Sequence, residues 1–263
     1  MIVGDGIRTE RQQPIYPPSV SSVVSELFQR DTAAAEQLIW RELQNKDGAV
    51  WHRQHDRELA GLARSLQEIL PRLKHGKDNY AAISKVEDAE KALERAVDGS
   101  QLVTHDLLSA QHVHLLKNQF REMYRLIHAM TGKPEAIIDL RIETSGAYIE
   151  NFHQDFGTAL LMSLVGPGPH FIHPNNQPQS HDGAFFREDL PHPEQVFEVP
   201  PCSMLAMRGR FSPDDTCENP SQGLWHSSPC KQWNGAIQWD TRVLLIVTSP
   251  ESAILPPRPS LDT

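Results

Sequence analysis

Apolar residues recur at helical spacing through much of the first half of the chain. Four leucines and a terminating proline mark one helix: Leu59, Leu62, Leu66, Leu70 and Pro71. A longer amphipathic helix is predicted at 107–130, and Gly132 follows it as a stop signal. These patterns predict a mainly helical region at 21–133, after an irregular N-terminal arm at 1–20 that contains Pro and Gln.

Beyond Pro134 the hydrophobic period changes from that of a helix to that of a strand. Short extended segments are predicted at 136–142, 158–165, 195–199, 203–207, 224–228 and 241–248. A helical block followed by short strands is typical of an α+β protein in which helices pack against a β-sandwich or small barrel. We assign the strand region to 134–250 and a C-terminal tail to 251–263.

Composition and charge narrow the class of protein. The chain has 263 residues, of which 39% are hydrophobic and 22% charged, as in ordinary globular proteins. No apolar run approaches the roughly 18 residues that span a membrane, and the first residues lack the pattern of a signal peptide. The net charge of -9 argues against general binding to nucleic acids or anionic membranes. Three widely spaced cysteines, Cys202, Cys217 and Cys230, favour a reducing compartment, so we expect a cytoplasmic protein.

The candidate chemistry begins with His153 and Asp155, just before the strand at 158–165. In an extended chain residues i and i+2 point to the same side, so the two side chains can bind one ion. One such tripeptide is expected by chance among 13 histidines, and both residues could equally lie at the surface of a loop edge. An iron site with two histidines and one carboxylate needs a further histidine, and His226 lies in a later extended segment.

Arg242 opens the last apolar strand, where alternation places it on one face with Leu244 and Ile246. A structural arginine at such a position needs a carboxylate partner or a route to solvent. A functional arginine there is suited to bidentate binding of a ligand carboxylate.

The order of His153-x-Asp155, a distal His226 and Arg242 on a following strand resembles the iron(II)- and 2-oxoglutarate-dependent dioxygenases over roughly residues 135–250. The resemblance implies a double-stranded β-helix, of the jelly-roll or cupin-like kind, with the helical region packed against it. It implies Fe(II) held by the two histidines and the aspartate, and 2-oxoglutarate held at its far carboxylate by Arg242. The implied activity is oxidation or hydroxylation of a small molecule by O2.

The layout also resembles a family of uncharacterised bacterial proteins of this length. Five segments carry that resemblance: Leu140-Arg141-Ile142-Glu143, Phe152-His153-Gln154-Asp155, Gly166-Pro167-Gly168, His226-Ser227-Ser228-Pro229 and Arg242-Val243-Leu244-Leu245. The resemblance implies a fold and leaves the substrate and the oligomeric state open.

Two alternatives stay open at this point. In many of these dioxygenases a serine follows the arginine by two residues, whereas Leu244 stands here, so the same triad could work without 2-oxoglutarate. A protein carboxylate that neutralises Arg242 would favour that alternative. The second alternative is a non-catalytic protein that holds zinc or another divalent ion, which a fourth protein ligand would support. Candidate extra ligands lie in the long polar loop at 169–195: His170, His173, His181 and His192.

Other residues have weaker patterns. The loop at 169–195 is a candidate lid, and Ser163 could contact a co-substrate if it faces the interior. Three tryptophans could line a pocket or simply pack in the core: Trp225, Trp233 and Trp239. Ser227 and Ser228 lie beside His226, but the Gly-x-Ser-x-Gly turn of many hydrolases is absent from the sequence.

Overall fold

The structure is a computed structural model that describes most of the chain between Tyr16 and Pro250. The described residues are 16, 20–24, 32–43, 46–53, 56–73, 79–143, 151–155, 157–179, 185–209, 223–229, 231–233, 236–238 and 242–250. Apart from Tyr16 and Val20, the predicted N-terminal arm lies outside the described residues, as does the predicted tail at 251–263.

The fold is mixed α/β, with α-helices in the first half of the described chain and strands throughout. The described α-helices are α1 (Thr32–Leu43), α2 (Arg57–Ile69), α3 (Ala89–Leu93), α4 (Gln101–Thr104) and α5 (Ala110–Thr131). The first six strands are β1 (Val20–Val24), β2 (Gly48–His52), β3 (Asn79–Ile83), β4 (Ala136–Glu143), β5 (Ala159–Val165) and β6 (His170–Ile172). The remaining strands are β7 (Val196–Glu198), β8 (Met204–Met207), β9 (His226–Ser227), β10 (Lys231–Trp233), β11 (Ala236–Gln238) and β12 (Arg242–Thr248).

The two predicted helices are confirmed, and local chemistry explains where they begin and end. The carboxylate of Asp56 accepts hydrogen bonds from the backbone N–H groups of Glu58 and Leu59 and so caps α2. Ser109 caps α5 in the same way, and Gly132 ends that helix in the left-handed conformation at φ 68°. Each helix turns a stripe of large apolar side chains toward the sheet. No described helix is both long and apolar enough to cross a membrane.

Seven strands form one large sheet in the order β1-β2-β8-β5-β12-β4-β3. The pair β1 and β2 is parallel, and the other neighbours are antiparallel. Three of these strands, β1, β2 and β3, lie in the region 21–133 except for the first residue of β1. The prediction of a mainly helical region missed them. The strands are only five residues long. In β2 four consecutive residues are buried, which removes the alternation that a half-buried strand would show.

The large sheet lies between helices on one face and a smaller sheet on the other. Side chains from α2, α5 and one face of the large sheet form the main hydrophobic core. Phe171 and Phe197, from the three-stranded sheet β7-β6-β9, pack with Leu205 and Leu244 on the opposite face of the large sheet. The strands β10 and β11 form a separate two-stranded ribbon. The register of the small sheet directs the candidate ligand side chains into the space between the seven-stranded and the three-stranded sheets.

Gly209, just after β8, approaches the backbone of Gly157 too closely for any side chain. A Cβ at position 209 would lie 1.7 Å from the carbonyl oxygen of Gly157, which itself has a φ of 73°. We expect Gly209→Ala to lower the free energy of unfolding by more than about 2 kcal/mol, because backbone must shift to make room. The midpoint of urea unfolding measures this.

Gly61 in α2 provides the matched control, since nothing lies within 4 Å of a Cβ built there. Gly61→Ala should raise the free energy of unfolding by about 0.5–1 kcal/mol through the better helix propensity of alanine. Equal effects of the two substitutions would contradict the close backbone approach at Gly209.

Candidate metal centre

His153 and His226 face each other across a short antiparallel bridge at the edge of the small sheet. The backbone N–H of His153 donates to the carbonyl of His226 at 2.9 Å, and the reverse hydrogen bond is 3.0 Å long. Residues paired in this way project their side chains from the same face of a sheet. The two imidazole rings accordingly lie with their centroids 4.4 Å apart. On the neighbouring strand β6, Phe171 is paired with His226 and packs against the large sheet. The two histidines therefore lie on the face of the small sheet that is turned toward the large sheet.

Asp155 completes the group. One carboxylate oxygen, Oδ1, lies 3.6 Å from Nε2 of His153, and Oδ2 lies 3.4 Å from Nε2 of His226. One possible ligand atom from each of the three residues lies within 4.8 Å of the other two. The structure therefore brings together all three residues that the sequence predicted as metal ligands.

Backbone carbonyls orient both imidazoles. Nδ1 of His153 is 3.0 Å from the carbonyl oxygen of Asn151, and Nδ1 of His226 is 3.0 Å from that of Leu224. A carbonyl can only accept, so each Nδ1 carries the proton and donates it. In the neutral rings Nε2 then presents a lone pair toward Asp155. Such a backbone hydrogen bond to the far nitrogen is the usual support of a histidine that binds a metal.

Burial and mutual charge shift the pKa of all three groups. Burial and the charge of His226 lower the pKa of His153 to about 4, against the opposing pull of Asp155. Burial alone would raise the pKa of Asp155, but His226, His153 and Arg141 together lower it to about 2. The pKa of His226 is raised, because attraction to Asp155 outweighs its burial. Near neutral pH, His153 is therefore neutral and Asp155 ionised, as metal ligands must be.

Metal binding at this centre is expected to weaken as the pH falls. A metal ion bound here would have to displace a proton from Nε2 of His226, whose pKa is raised above its ordinary value. The metal affinity should therefore be independent of pH above the raised pKa of His226. Below that pKa it should fall by up to about tenfold per pH unit, because one proton must be displaced. Cobalt(II) titrations of the protein from about pH 8 to about pH 6 measure this dependence. An affinity that does not change over this range would contradict it.

The donor set fits a divalent transition metal. Two imidazole nitrogens and one carboxylate oxygen lie close enough to bind one ion, and this donor set is typical of sites that leave further positions open for ligands. This is the one such group of three found among the described residues. Of the four loop histidines, His181 lies outside the described residues. The other three each have a local partner: Glu198 beside His170, Asn175 beside His173 and Glu194 beside His192.

Arg242 lies on the face of β12 that was predicted, together with Leu244 and Ile246. Its guanidinium donates through Nε to the carboxylate of Glu143, its directly paired residue on β4. It also donates to the hydroxyl oxygen of Ser228 at 3.0 Å. Both members of this ion pair are buried. The carboxylate of Glu143 therefore already neutralises the guanidinium of Arg242, which the resemblance to the dioxygenases implies as the binding group for 2-oxoglutarate.

Glu143 belongs to a line of charged residues that sequence reasoning left without a role. Register pairs Asp139 with Ile246, Arg141 with Leu244 and Glu143 with Arg242, so all three side chains of β4 lie on the face toward the small sheet. Arg141 donates through Nε to Asp139 at 2.6 Å. The sequence does contain a signal, because charges at every second position of an apolar strand imply a polar lining on one face.

The remaining predicted residues have packing or local roles. The hydroxyl of buried Ser163 donates to the carbonyl of Pro167 at 3.1 Å. Trp225 packs against Phe185 in a cluster on the outer face of the small sheet. Phe185 and Leu190 of the loop at 169–195 cover that outer face, so these two residues do not form a lid over the triad. Residues 180–184 of the loop lie outside the described residues, as do Trp239, Cys217 and Cys230, and no side-chain contact of Trp233 is described.

Fold and site together define a mixed α/β protein with a candidate metal centre of two histidines and one carboxylate. The chain belongs to the family described as "Protein of unknown function (DUF1826)", which matches residues 41–247. No curated protein matches the chain.

Several solved structures are similar to the chain at low identity. The Fe(II)/(alpha)ketoglutarate-dependent dioxygenase TqaL is 12% identical with a TM-score of 0.46, over 82% of this chain and 87% of that one. Dioxygenase for auxin oxidation 1 from Arabidopsis thaliana, a 2-oxoglutarate complex, is 10% identical with a TM-score of 0.43, covering 88% and 92%. A full-length Neurospora crassa protein in complex with alpha-KG is 12% identical with a TM-score of 0.42, covering 87% and 83%. The geometry of the site, and not these likenesses, carries the functional argument.

Proposed function

We propose that this protein is a non-haem oxygenase that uses iron(II), O2 and 2-oxoglutarate to oxidise a small molecule. The iron would be held by His153, Asp155 and His226. One observation carries the proposal: two imidazole Nε2 atoms, freed by backbone hydrogen bonds at Nδ1, converge with an ionised carboxylate between the two sheets. Three protein ligands on one side of an ion leave positions for a co-substrate and O2.

The proposed architecture is a double-stranded β-helix. In support, the large sheet contains the neighbours β8-β5-β12-β4, and a second row is made by β7, β6, β9 and the bridge at His153. Phe171 and Phe197 of the second row pack against side chains of β8, β5 and β12. Two facing rows of four extended segments are the layout of a jelly roll. In this layout His153 and His226 belong to the second row, on the face that Phe171 turns toward the large sheet.

The residues of this chain would bind and orient, while a bound iron(II) ion would supply the redox chemistry. His153, Asp155 and His226 would hold the ion. Phe171 and Leu205 exclude water from the space between the sheets, because both are buried there. Arg242 is proposed to bind the far carboxylate of 2-oxoglutarate, which requires Glu143 to share or release it.

The same ion pair favours a second candidate function. If Glu143 keeps Arg242, the triad would serve an oxygenase or isomerase that does not use 2-oxoglutarate. Breaking a buried pair is costly because it leaves a charge without compensation. The two candidates therefore differ in one measurable property, the binding of 2-oxoglutarate to the iron-loaded protein.

An anaerobic absorption spectrum tests the proposal. Iron(II) and 2-oxoglutarate added to the protein without O2 should give a weak visible charge-transfer band, because the 2-oxo acid chelates the ion. Glu143→Gln should strengthen 2-oxoglutarate binding by removing the competing carboxylate from Arg242. A protein that binds iron stoichiometrically but gives no band would favour the second candidate. A protein that binds no divalent metal would contradict both.

A further inference from the structure

Gln154 lies between two candidate ligands in the chain but on the opposite side of the extended segment. Alternate residues of an extended chain face the same way, so Gln154 shares a face with Phe152. Phe152 packs with Trp225 in the cluster on the outer face of the small sheet. The side chain of Gln154 is therefore placed away from the candidate metal centre and does not compete as a ligand.

The amide of Gln154 reaches the segment that carries the other candidate ligand. Its Nε2 donates to the backbone carbonyl of Gly223 at 2.9 Å. Gly223 has a φ of 79°, a left-handed conformation that glycine adopts without strain. It directly precedes Leu224, whose carbonyl oxygen lies 3.0 Å from Nδ1 of His226. A chain of contacts therefore leads from a side chain on the outer face to an imidazole on the inner face.

The two ligand-bearing segments come from distant parts of the chain and are joined at two places. The bridge between His153 and His226 joins them through two backbone hydrogen bonds. The amide of Gln154 joins them again, three residues before His226. These contacts fix the backbone on both sides of Leu224, so the carbonyl that orients the His226 ring has a set position. Such orientation raises metal affinity, because a ring that is free to turn must be ordered when the ion binds.

We infer that Gln154 is a positioning residue of the metal centre, which acts through His226 without touching the ion. Its amide holds Gly223, and the backbone that follows Gly223 carries the carbonyl that directs the His226 ring. The inference rests on the proposed metal centre and deepens it, because it assigns part of the metal affinity to a residue outside the triad. It does not depend on which co-substrate or substrate the protein uses.

Gln154→Met tests the inference, because methionine has a similar length and no N–H group to donate. The cobalt(II) affinity should fall about tenfold, at the lower end of the range for an outer partner of a metal ligand. Gln154→Asn keeps the amide on a side chain that is shorter by a methylene group, and it should cause a similar loss. Calorimetric titration of cobalt(II) into the folded variants measures both effects.

Two combined variants show through which ligand Gln154 acts. In a His153→Ala background, Gln154→Met should again cost about tenfold, because His226 is still present. In a His226→Ala background, the same substitution should change the affinity by less than about twofold. The visible spectrum at high cobalt concentration follows the weak binding that remains in these backgrounds. Equal losses in the two backgrounds would overturn the inference, because Gln154 would then act on its own segment.

A measurement without metal separates the inference from the proposed function. In protein made with isotope-labelled histidine, Gln154→Met should speed solvent exchange of the Nδ1 proton of His226 at least about tenfold, because the Leu224 carbonyl holds it less firmly. An unchanged exchange rate would overturn the inference. If the unaltered protein binds no cobalt, the proposed function fails, and the exchange rate still decides whether Gln154 holds the His226 ring.

Tyr124→Phe is the matched control for the loss of a side-chain hydrogen bond to a backbone carbonyl. The hydroxyl of Tyr124, on α5, donates to the carbonyl of Pro134 at 2.9 Å. Tyr124 packs in the main hydrophobic core, on the helix side of the large sheet. The substitution should lower the free energy of unfolding and leave the cobalt affinity within about twofold. An equal fall in cobalt affinity in Tyr124→Phe and Gln154→Met would indicate a general loss of stability and would overturn the inference.

Discussion

Replacing His153 by alanine is expected to abolish stoichiometric metal binding and to weaken the affinity for cobalt(II) at least about 100-fold. Loss of an outer hydrogen-bond partner of a metal ligand costs about 10- to 100-fold, and loss of the ligand itself costs more. His153 would contribute one of the three proposed donor atoms, and its Nε2 lies 3.6 Å from Oδ1 of Asp155. Metal content after dialysis and the visible spectrum of the cobalt protein measure the effect.

The design of this experiment separates ligand loss from damage to the fold. Asp155→Asn removes the charge while keeping the shape of the side chain, and it should cause a loss of the same order. His192→Ala is the matched control, because that histidine is exposed and belongs to the loop at 169–195. Metal content that stays at the level of the unaltered protein in both triad variants would rule out this centre as the binding site.

Arg242→Met is expected to lower the free energy of unfolding by about 3–5 kcal/mol. The substitution removes the nearest ion-pair partner of the buried carboxylate of Glu143 and leaves Arg141 4.0 Å away as a weaker one. Breaking a buried ion pair by removing one member is among the costliest single changes. Replacing both residues, as Arg242→Met with Glu143→Leu, should recover most of that loss, since the apolar side chains need no partner. Urea unfolding of the two single variants and the double variant measures the coupling as a double-mutant cycle.

An exposed ion pair supplies the comparison. Arg121 donates to Glu90 at the protein surface, where the glutamate side chain is 63% exposed. Arg121→Met should change the free energy of unfolding by less than about 1 kcal/mol, because water replaces the lost partner. If Arg242→Met costs no more than Arg121→Met, Glu143 is not held as an ion in the folded protein.

The helices could be predicted because their signals are local. In α2 the cap, the apolar stripe and the terminating proline all lie within one short stretch, and they agree with one another. The segment at 49–51 shows the limit of such signals, because a short apolar run suits a strand or a helix end equally well. It is a strand, β2, because β1 and β8 flank it on either side. That pairing is a property of distant residues and has no local mark in the sequence.

The triad could be proposed from the sequence because its spacing has a direct geometric meaning. Two side chains one residue apart in an extended chain share a face, and a third histidine was needed from a later strand. The partner of Arg242 could not be predicted, because it depends on the register between β12 and β4. A shift of one residue would place Glu143 on the opposite face, and nothing local fixes that register.

The mutual hydrogen bonds between His153 and His226 set an order of events during folding. The two residues are 73 positions apart in the chain, so their bridge forms only when a large loop has closed. The face that carries the candidate metal ligands does not exist before that closure, so the unfolded chain could not bind an ion through this arrangement. A bound ion would therefore stabilise the closed loop only after it has formed. It would slow unfolding more than it speeds folding.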